Sequence, residues 1–450
     1  MQIKIGIEVH CQLNTKSKIF CGCSINGDDI PNSRTCPTCL GHAGSKPVLN
    51  KEALRQAVKV ALALGCTINT KTFFSRKIYF YPDLTKNFQI TQYEIPIANN
   101  GELNKIRIRR LHLEEDPGRL VHKENYCLVD YNRSGIPLIE VVTEPDFTSP
   151  AEVREFLKKL ITTLEYLEVY SRTSEATLRA DANISIDGGE RVEVKNITGL
   201  KDIERALQYE IERGKKEKFV RETRGWDSEI GRTYTLRKKE VEEEYGYIFE
   251  PDLPKFELDK SFIEAIKKEI PELAHEKIKK YVEKYKLEQA DAEAITGEFL
   301  LASMFENVAK EVDPVLAARW LRRELIRVVN YNKIDLHDIK VTDKHLIELL
   351  KLVETKKITQ QTAQRLIEKL VEKPFDVKAY VEKEKLVAVS NEGELDKFCK
   401  EVIKENPQAV ADYRKGESKA LFFLSGKVMQ KTKGTASPQV VNRLLERLLA

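Results

Sequence analysis

The first thirteen residues alternate between apolar and polar side chains, the pattern of a β-strand with two different faces. Ile3, Ile5 and Ile7 lie on one face, and Glu8 and His10 lie on the other. The last two therefore point the same way, about 7 Å apart along the strand. An acid and an imidazole at this spacing can share a divalent cation, although most such pairs are simply solvated.

Two further strand-forming segments, residues 106–116 and 137–143, carry acids at positions where burial is expected. Glu115 shares a face with Leu113, and Glu140 interrupts an otherwise apolar run. A buried carboxylate is costly unless a cation meets it. These acids indicate either a buried cation site or plain ion pairs with the nearby arginines, and the segments alone do not separate the two.

Helical and turn signals complete the pattern. Residues 51–64 and the segment that Ser149 caps repeat apolar positions every three to four residues, which predicts amphipathic helices. The Asp187-Gly-Gly sequence predicts a β-hairpin whose first strand carries Asp181 on its polar face. Beyond about residue 258 the pattern is almost wholly helical. We therefore predict a multidomain α+β chain with a mixed-sheet domain at 1–257 and two all-α domains at 258–338 and 339–450.

Four of the eight cysteines lie close together, as Cys21-Gly-Cys23 and Cys36-Pro-Thr-Cys39. Each short pair lets two thiolates hold one ion, and the Pro and Gly residues suit tight turns around it. The spacing favours a tetrahedral zinc site over a disulfide scaffold. Reduced free cysteines and an iron–sulfur cluster are the alternatives. A site with four cysteine ligands has no open position, so we expect a structural role.

Composition excludes several classes. The 450 residues are 41% hydrophobic and 32% charged, with a net charge of only +4, so any nucleic-acid contact must come from local patches. There is no run of eighteen apolar residues and no signal peptide, and we expect a cytoplasmic protein without membrane contact. The sequence has no phosphate loop, nucleophile elbow or dinucleotide fingerprint. If the chain uses ATP, it does so on another scaffold.

Two basic segments are candidates for binding phosphate. Residues 73–93 interleave aromatic side chains with cations that include Lys77, which suits a nucleotide but equally a plain aromatic core. Near the end of the chain, Lys427, Lys431 and Lys433 surround a glycine before a final helix. They could contact an RNA backbone, or they could form a solvated basic tail.

Taken together, these segments closely resemble the B subunits of aspartyl/glutamyl-tRNA amidotransferases. The resemblance rests on the motifs I-G-I-E-V-H-C-Q-L, C-G-C…C-P-T-C-L-G, R-K-I-Y-F-Y-P-D, L-H-L-E-E-D-P-G and V-D-Y-N-R-S-G-I-P-L-I-E. The tail sequence K-V-M-Q-K-T-K-G-T-A-S-P-Q resembles a YqeY-type module. The resemblance implies a cradle-shaped catalytic domain, a helical domain and a YqeY-like tail that holds tRNA through the three lysines named above.

The resemblance also implies an activity: a ligase that uses ATP and takes its amide nitrogen from glutamine. Such an enzyme phosphorylates the side-chain carboxylate of misacylated Asp-tRNA(Asn) or Glu-tRNA(Gln) and then amidates it. It further implies that Glu8, His10 and Glu115 bind Mg²⁺, that Lys77 is a site lysine, and that Glu140 and Asp181 are further acids for binding the cofactor. Ammonia would come from an amidase-like A subunit, with a small C subunit completing a heterotrimer, because this chain shows no glutaminase motif.

Two other interpretations remain. The chain could be a zinc-containing scaffold that binds tRNA, with a purely structural acid cluster. It could also be an independent ligase that releases its own ammonia from glutamine. Within the main interpretation the substrate stays open, because Asp and Glu side chains differ by one methylene and discrimination can lie in the tRNA.

Overall fold

The computed structural model describes residues 2–170, 178–238, 245–388, 392–432 and 434–449. Contacts between Cα atoms separate two compact units, Met1–Leu273 and Ala274–Ala450. The boundaries predicted at 257/258 and 338/339 stay predictions. Among the described residues, no helix combines the length and the apolar character needed to cross a bilayer.

The first unit is built on a mixed sheet, as the sequence predicts. Nine strands run in the order β14-β13-β12-β11-β1-β10-β7-β6-β2, in which only the β12–β13 pair is parallel. These strands are β1 (Ile3–Gln12), β2 (Thr67–Ile68), β6 (Ala98–Leu103), β7 (Ile106–Glu115), β10 (Pro137–Thr143), β11 (Arg179–Ile186), β12 (Val192–Thr198), β13 (Glu222–Asp227) and β14 (Arg232–Lys238). β1, the predicted alternating strand, lies at the centre with β11 on one side and β10 on the other.

Three smaller sheets stand beside the large one. One has the order β15-β4-β5, and the others are the pairs β16–β3 and β8–β9. Their strands are β3 (Lys71–Thr72), β4 (Ser75–Ile78), β5 (Phe88–Thr91), β8 (Arg119–His122), β9 (Cys127–Asp130), β15 (Gly246–Phe249) and β16 (Phe256–Glu257).

Helices cover one face of the large sheet. The four helices of this unit are α1 (Lys51–Ala63), α2 (Pro150–Tyr166), α3 (Leu200–Gly214) and α4 (Lys260–Lys268). The predicted cap of α2 is confirmed, since the Ser149 side chain accepts a hydrogen bond from the Glu152 amide. α1 packs on β6 and β7, and α3 packs on β11 and β12. The apolar side of β1 is buried in this layer, as Ile5, Ile7 and Val9 have at most 1% exposure.

The second unit is all helical. Its helices are α5 (Ala274–Tyr285), α6 (Gln289–Thr296), α7 (Phe299–Val308), α8 (Pro314–Arg319), α9 (Ile326–Tyr331), α10 (Asp343–Glu354), α11 (Gln360–Glu372), α12 (Val377–Lys383), α13 (Glu392–Glu405), α14 (Pro407–Arg414), α15 (Ser418–Lys431) and α16 (Pro438–Leu449). A π-helical segment, Trp320–Leu325, connects α8 to α9, and a 3-10 turn spans Leu336–Asp338. Buried apolar side chains of α13, α15 and α16, such as Leu395, Leu424 and Leu444, form the core of the C-terminal part.

Candidate functional site

A row of polar side chains crosses the centre of the large sheet. Glu140 on β10 is the direct cross-strand partner of His10 on β1 and of His112 on β7. Glu140 Oε2 lies 3.3 Å from the Nε2 atom of each imidazole. The antiparallel register therefore places one carboxylate between two histidines on the face of the sheet that the helices leave open.

Glu114 completes this first group. Its carboxylate oxygens lie 3.9 Å from His10 Nε2 and 3.6 Å from His112 Nε2, and one of them accepts a hydrogen bond from Thr91. One donor atom each from His10, Glu114 and Glu140 falls within 4.8 Å of the others. Imidazole nitrogen and carboxylate oxygen atoms at this spacing suit a divalent cation.

A second group of acids lies on the neighbouring strands. Glu8 pairs across the sheet with Asp181, and donor atoms of Glu8, Asp181 and Glu193 lie within 4.8 Å of one another. Lys195 Nζ lies 3.3 Å from Asp181 Oδ2 and 2.8 Å from Glu193 Oε1. The Asn183 side chain donates to Glu8. The two groups place five carboxylates on one face, so a cation beyond Lys195 would relieve their mutual repulsion.

The electrostatics of the site reflect this crowding. Burial opposes protonation of His10, but its hydrogen bond with Glu140 and the nearby acids raise its pKa to about 9. Burial likewise opposes the charged form of Glu140, yet the charge of His112 and the hydrogen bond from His10 hold the Glu140 pKa well below its usual value. Burial and the charges of Glu140 and Asp181 raise the pKa of Glu8. Without a metal, protonated histidines thus balance the ionised acids.

Two cavities of about 690 and 750 Å³ flank the acid groups and share His10, Lys77, Glu114, Asp181, Lys195 and Tyr245 in their walls. Tyr93 and Tyr247, whose rings stack with centroids 3.8 Å apart, line the first cavity. The walls of the second carry several cations: Arg119, His122, Arg133 and Arg179. Volumes of this size accommodate a nucleotide or the end of an RNA chain.

Lys77 lies between the two cavities, on β4. Its ammonium lies 4.6 Å from the centroid of the Tyr245 ring. Burial opposes its charge, but Glu114 and Glu140 raise its pKa above the usual value. Lys77 therefore carries a positive charge next to the first acid group, where it can meet a phosphate or a developing oxyanion.

Glu115 has a different position from the one predicted. Its oxygens accept hydrogen bonds from Lys86 Nζ at 2.7 Å and from the Ile90 amide at 2.9 Å. Strand alternation turns it away from Glu114, so the structure does not bring Glu115 together with Glu8 and His10. Glu115 forms part of the wall of a separate cavity of about 190 Å³ beside the cysteine loop.

The four cysteines of the loop come together as the spacing predicts. The Sγ atoms of Cys21, Cys23, Cys36 and Cys39 lie within 4.8 Å of one another, and those of Cys36 and Cys39 are 3.9 Å apart. Thiolates at Zn–S distances of about 2.3 Å in a tetrahedron are separated by roughly 3.8 Å. The donor set therefore fits one zinc ion. A hydrogen bond from the Cys21 thiol lowers the pKa of Cys39 to about 4.

The tail lysines divide. Lys427 Nζ on α15 lies 5.5 Å from the centroid of the Phe423 ring, at the surface. Lys431 forms ion pairs with Glu401 at 3.0 Å and Glu405 at 2.7 Å, both on α13. Lys433 lies outside the described residues. Of the three predicted RNA contacts, Lys431 thus already has two acidic partners within the chain.

Sequence reasoning missed part of the site. It assigned no role to four site residues, which are His112, Glu114, Glu193 and Lys195. Their signal is present in the alternation of β7 and β12, where each pair shares one face, but it is hidden because β7 is buried on both faces. His112 Nδ1 is buried with no hydrogen-bond partner among the residues that the structure describes.

Comparison with known proteins places both units in one family. Residues 3–264 match the family model described as the GatB/GatE catalytic domain, and residues 303–449 match the one described as the GatB domain. Three relatives carry the name of the B subunit of an aspartyl/glutamyl-tRNA(Asn/Gln) amidotransferase. The protein of Thermotoga petrophila is 43% identical over 99% of this chain and 98% of its own length. That of Methanothermobacter thermautotrophicus is 43% identical over 99% and 100%, and that of Finegoldia magna 39% identical over 98% of each.

Proposed function

The chain belongs to the GatB family of amidotransferase subunits, and from that premise we propose that it carries the ATP-dependent amidation site of a tRNA-dependent amidotransferase, a carbon–nitrogen ligase. The observation that supports this most strongly is the row His10–Glu140–His112, flanked by Glu114 and by two cavities. A structural ion-pair network needs no such cavities. A site for two substrates does.

The reaction starts from a poor electrophile. The side-chain carboxylate of Asp or Glu on its tRNA attacks the γ-phosphorus of ATP, which forms an acyl phosphate and releases ADP. Ammonia then attacks the acyl carbon and expels inorganic phosphate, leaving the amide. Phosphoryl transfer needs positioning and charge neutralisation more than covalent help from the protein.

The residues that would hold Mg²⁺ are His10, Glu114 and Glu140, with Glu8, Asp181 and Glu193 as the neighbouring acids. A bound divalent ion supplies Lewis-acid neutralisation of phosphate charge. We propose Glu114 in place of Glu115 because only Glu114 shares a face with His10. Glu115 instead supports the wall of the site, through Lys86 and the β5 amide.

Cations of the chain would bind the phosphates. Lys77 is placed between the cavities and would stabilise the transferring phosphoryl group or the acyl oxygen. Arg119, Arg133 and Arg179 line the second cavity and would attract a polyanion such as ATP or the acceptor end of tRNA.

The other parts serve binding and assembly. The four-cysteine loop would hold a structural zinc ion, because all four positions of a tetrahedron are filled by protein. The YqeY-like tail would contact the tRNA backbone, with Lys427 the available lysine among the described residues. We further propose a cytoplasmic heterotrimer in which an amidase-type A subunit supplies ammonia and a small C subunit joins the two chains.

The two other interpretations make different predictions. A tRNA-binding scaffold would bind tRNA with an inert acid cluster. An independent ligase would amidate without partners. We test all three with the purified chain, alone or assembled with its amidase-type and small partner subunits, using ATP, Mg²⁺ and misacylated tRNA with either glutamine or ammonium chloride. We expect glutamine to serve only the complex, while ammonium supports amidation wherever this chain is present. Glutamine-dependent product from the chain alone would contradict the subunit role, and binding without product from either source would favour the scaffold.

A further inference from the structure

The β8–β9 hairpin lacks support from the sheets of its unit. It forms a two-stranded sheet of its own, and its outer side chains include Tyr126 and Leu128, which are 62% and 52% exposed. An isolated two-stranded hairpin is marginally stable in water. Yet Arg119 and His122 of this hairpin contribute to the cationic wall of the second cavity. Something outside the large sheet must therefore fix its position.

That support comes from the four-cysteine loop, through Asn32. The Asn32 side chain donates to Val129 O at 3.1 Å and accepts from the Tyr131 amide at 2.7 Å, so its carboxamide pairs with β9 as a neighbouring strand would. The Asn32 backbone amide donates to Asp130 Oδ1 at 2.9 Å. Asn32 has φ of 60°, a conformation that asparagine tolerates better than most residues and that aims both groups at the hairpin.

A second asparagine reciprocates from the other side. Asn132 donates to Ile30 O at 2.8 Å and accepts from the Arg34 amide at 2.7 Å, and its side chain is almost fully buried. The two carboxamides therefore exchange hydrogen bonds between the cysteine loop and the segment that follows β9. Both asparagines lie about 100 residues apart in sequence, so the contact is purely tertiary.

Lys18 ties the cysteines themselves to the same segment. Its side chain is fully buried, and its Nζ lies 3.6 Å from Cys39 Sγ and 3.2 Å from Tyr131 O. A buried ammonium is stable only where negative partners surround it. Thiolates that hold a cation and the Tyr131 carbonyl provide such partners together. Next along the chain, Arg133 donates to Pro117 O at 2.9 Å and to Gly118 O at 2.6 Å, which fixes the start of β8.

We propose that Asn32 and Asn132 form a clamp by which the four-cysteine loop positions the β8–β9 hairpin, and with it the cationic wall of the second cavity. They are positioning residues, since neither lines that cavity. The loop has little regular structure between Leu13 and Lys51, so a bound metal would give it the rigidity that the clamp transmits. Metal occupancy would thus affect substrate binding at a site where the cysteines take no part in chemistry.

The test measures hydrogen exchange in the full-length chain. Asn32→Gly removes the carboxamide while keeping a backbone that allows positive φ. The matched control is Asn104→Gly, because Asn104 also has positive φ and a bonded side chain, to Lys159, far from the hairpin. We expect exchange of amides in residues 119–131 to accelerate at least roughly tenfold in Asn32→Gly and to stay unchanged in the control. Zinc content should stay near one ion per chain, as in the unsubstituted protein.

Two further arms separate the clamp from other causes. Asn132→Ala attacks the clamp from the hairpin side, so it decides the matter if Asn32→Gly loses zinc. Removal of zinc by a chelator should accelerate exchange in the hairpin as well as in residues 21–39. Unchanged hairpin exchange in Asn132→Ala, acceleration confined to the cysteine loop after chelation, or equal acceleration in Asn104→Gly would each overturn the proposal.

A kinetic arm rests on the proposed function. In the assembled enzyme, Asn32→Gly should raise KM for tRNA or ATP by roughly tenfold and change kcat by less than about twofold. A loss of kcat at unchanged KM would contradict a positioning role for the clamp. Failure of the proposed function would appear as absent amidation in the unsubstituted enzyme, while the exchange measurements would still report on the clamp.

Discussion

Glu140 Oε2 lies 3.3 Å from His10 Nε2, on a directly paired position of two central strands. The carboxylate has the same distance to His112 on its other side. All three side chains are largely buried, so each depends on the charges of its neighbours. This contact is where the open face of the sheet changes from a structural surface to a candidate reaction site.

Replacing Glu140 should affect the reaction and leave tRNA binding intact. We expect Glu140→Gln to lower ATP-dependent amidation on the order of 10²-fold or more, because an uncharged amide cannot hold a divalent ion or balance two imidazoles. Initial rates with saturating misacylated tRNA measure the effect. Glu144→Gln is the matched control, since Glu144 pairs with Arg109 near the surface. Equal rates for the two variants would assign Glu140 a structural role.

Glu114 and Glu115 should differ in metal binding. Mn²⁺ titration of the purified chain should show that Glu114→Gln weakens binding roughly 10- to 100-fold, while Glu115→Gln leaves it within about threefold. The reason is strand alternation, which directs only Glu114 toward His10. Thermal melts control for the loss of the Lys86–Glu115 ion pair. If Glu115→Gln alone weakens binding, the assignment made from the sequence is restored.

The behaviour of these two neighbours shows how far the sequence could lead. Alternation along β1 predicts that Glu8 and His10 share a face, and the structure places them so. Alternation along β7 cannot say which of its faces meets them, because residues 111–115 are all buried. That choice depends on which side the helices cover and on the register with β10. Both are tertiary facts, set by residues far away in the chain.

The same limit applies to the tail. The sequence shows three lysines around a glycine but not that Glu401 and Glu405, one turn apart on α13, meet Lys431. By contrast, the cysteine cluster was predictable because the two short C-x-C and C-x-x-C pairs leave few arrangements besides convergence on one ion. The predicted hairpin at Asp187 was also found, since its turn chemistry is local.

The tail lysines should contribute unequally to tRNA affinity. Lys427→Ala should weaken binding and reduce the slope of log Kd against log salt by roughly one. Lys431→Ala should change the slope much less, since two glutamates already neutralise this ammonium. Filter binding at several salt concentrations measures both. A larger effect of Lys431→Ala would mean that its ion pairs break when tRNA binds.

Zinc should follow the cysteine loop alone. Purified protein should contain about one zinc ion per chain, and the double variant Cys36→Ser/Cys39→Ser should lose it. Cys66→Ser and Cys127→Ser are matched controls because both residues are free cysteines outside the cluster. Elemental analysis after dialysis gives the result. Iron in place of zinc would instead support the iron–sulfur alternative.

His10 should remain protonated in the metal-free protein well above neutral pH. Its pKa of about 9 lies above the usual 6.5, so its stabilising charge is fully present below pH 6.5 and is lost as pH rises through 9. NMR of imidazole carbons labelled with ¹³C should give a midpoint near 9. Glu140→Gln should move that midpoint toward 6.5. A midpoint near 6.5 in the unsubstituted protein would contradict the charge balance described for the site.

The most direct test of the account follows one oxygen atom. Misacylated tRNA carrying ¹⁸O in the side-chain carboxylate is amidated by the assembled enzyme with ATP, Mg²⁺ and ammonium, and the phosphate product is analysed by mass spectrometry. If the carboxylate attacks ATP, the acyl phosphate breaks with its labelled oxygen on phosphorus. We therefore expect one ¹⁸O in inorganic phosphate for each amide formed, from Asp-tRNA(Asn), Glu-tRNA(Gln) or both. Amide formation with unlabelled phosphate, or without ATP, would contradict a phosphorylating site in this chain.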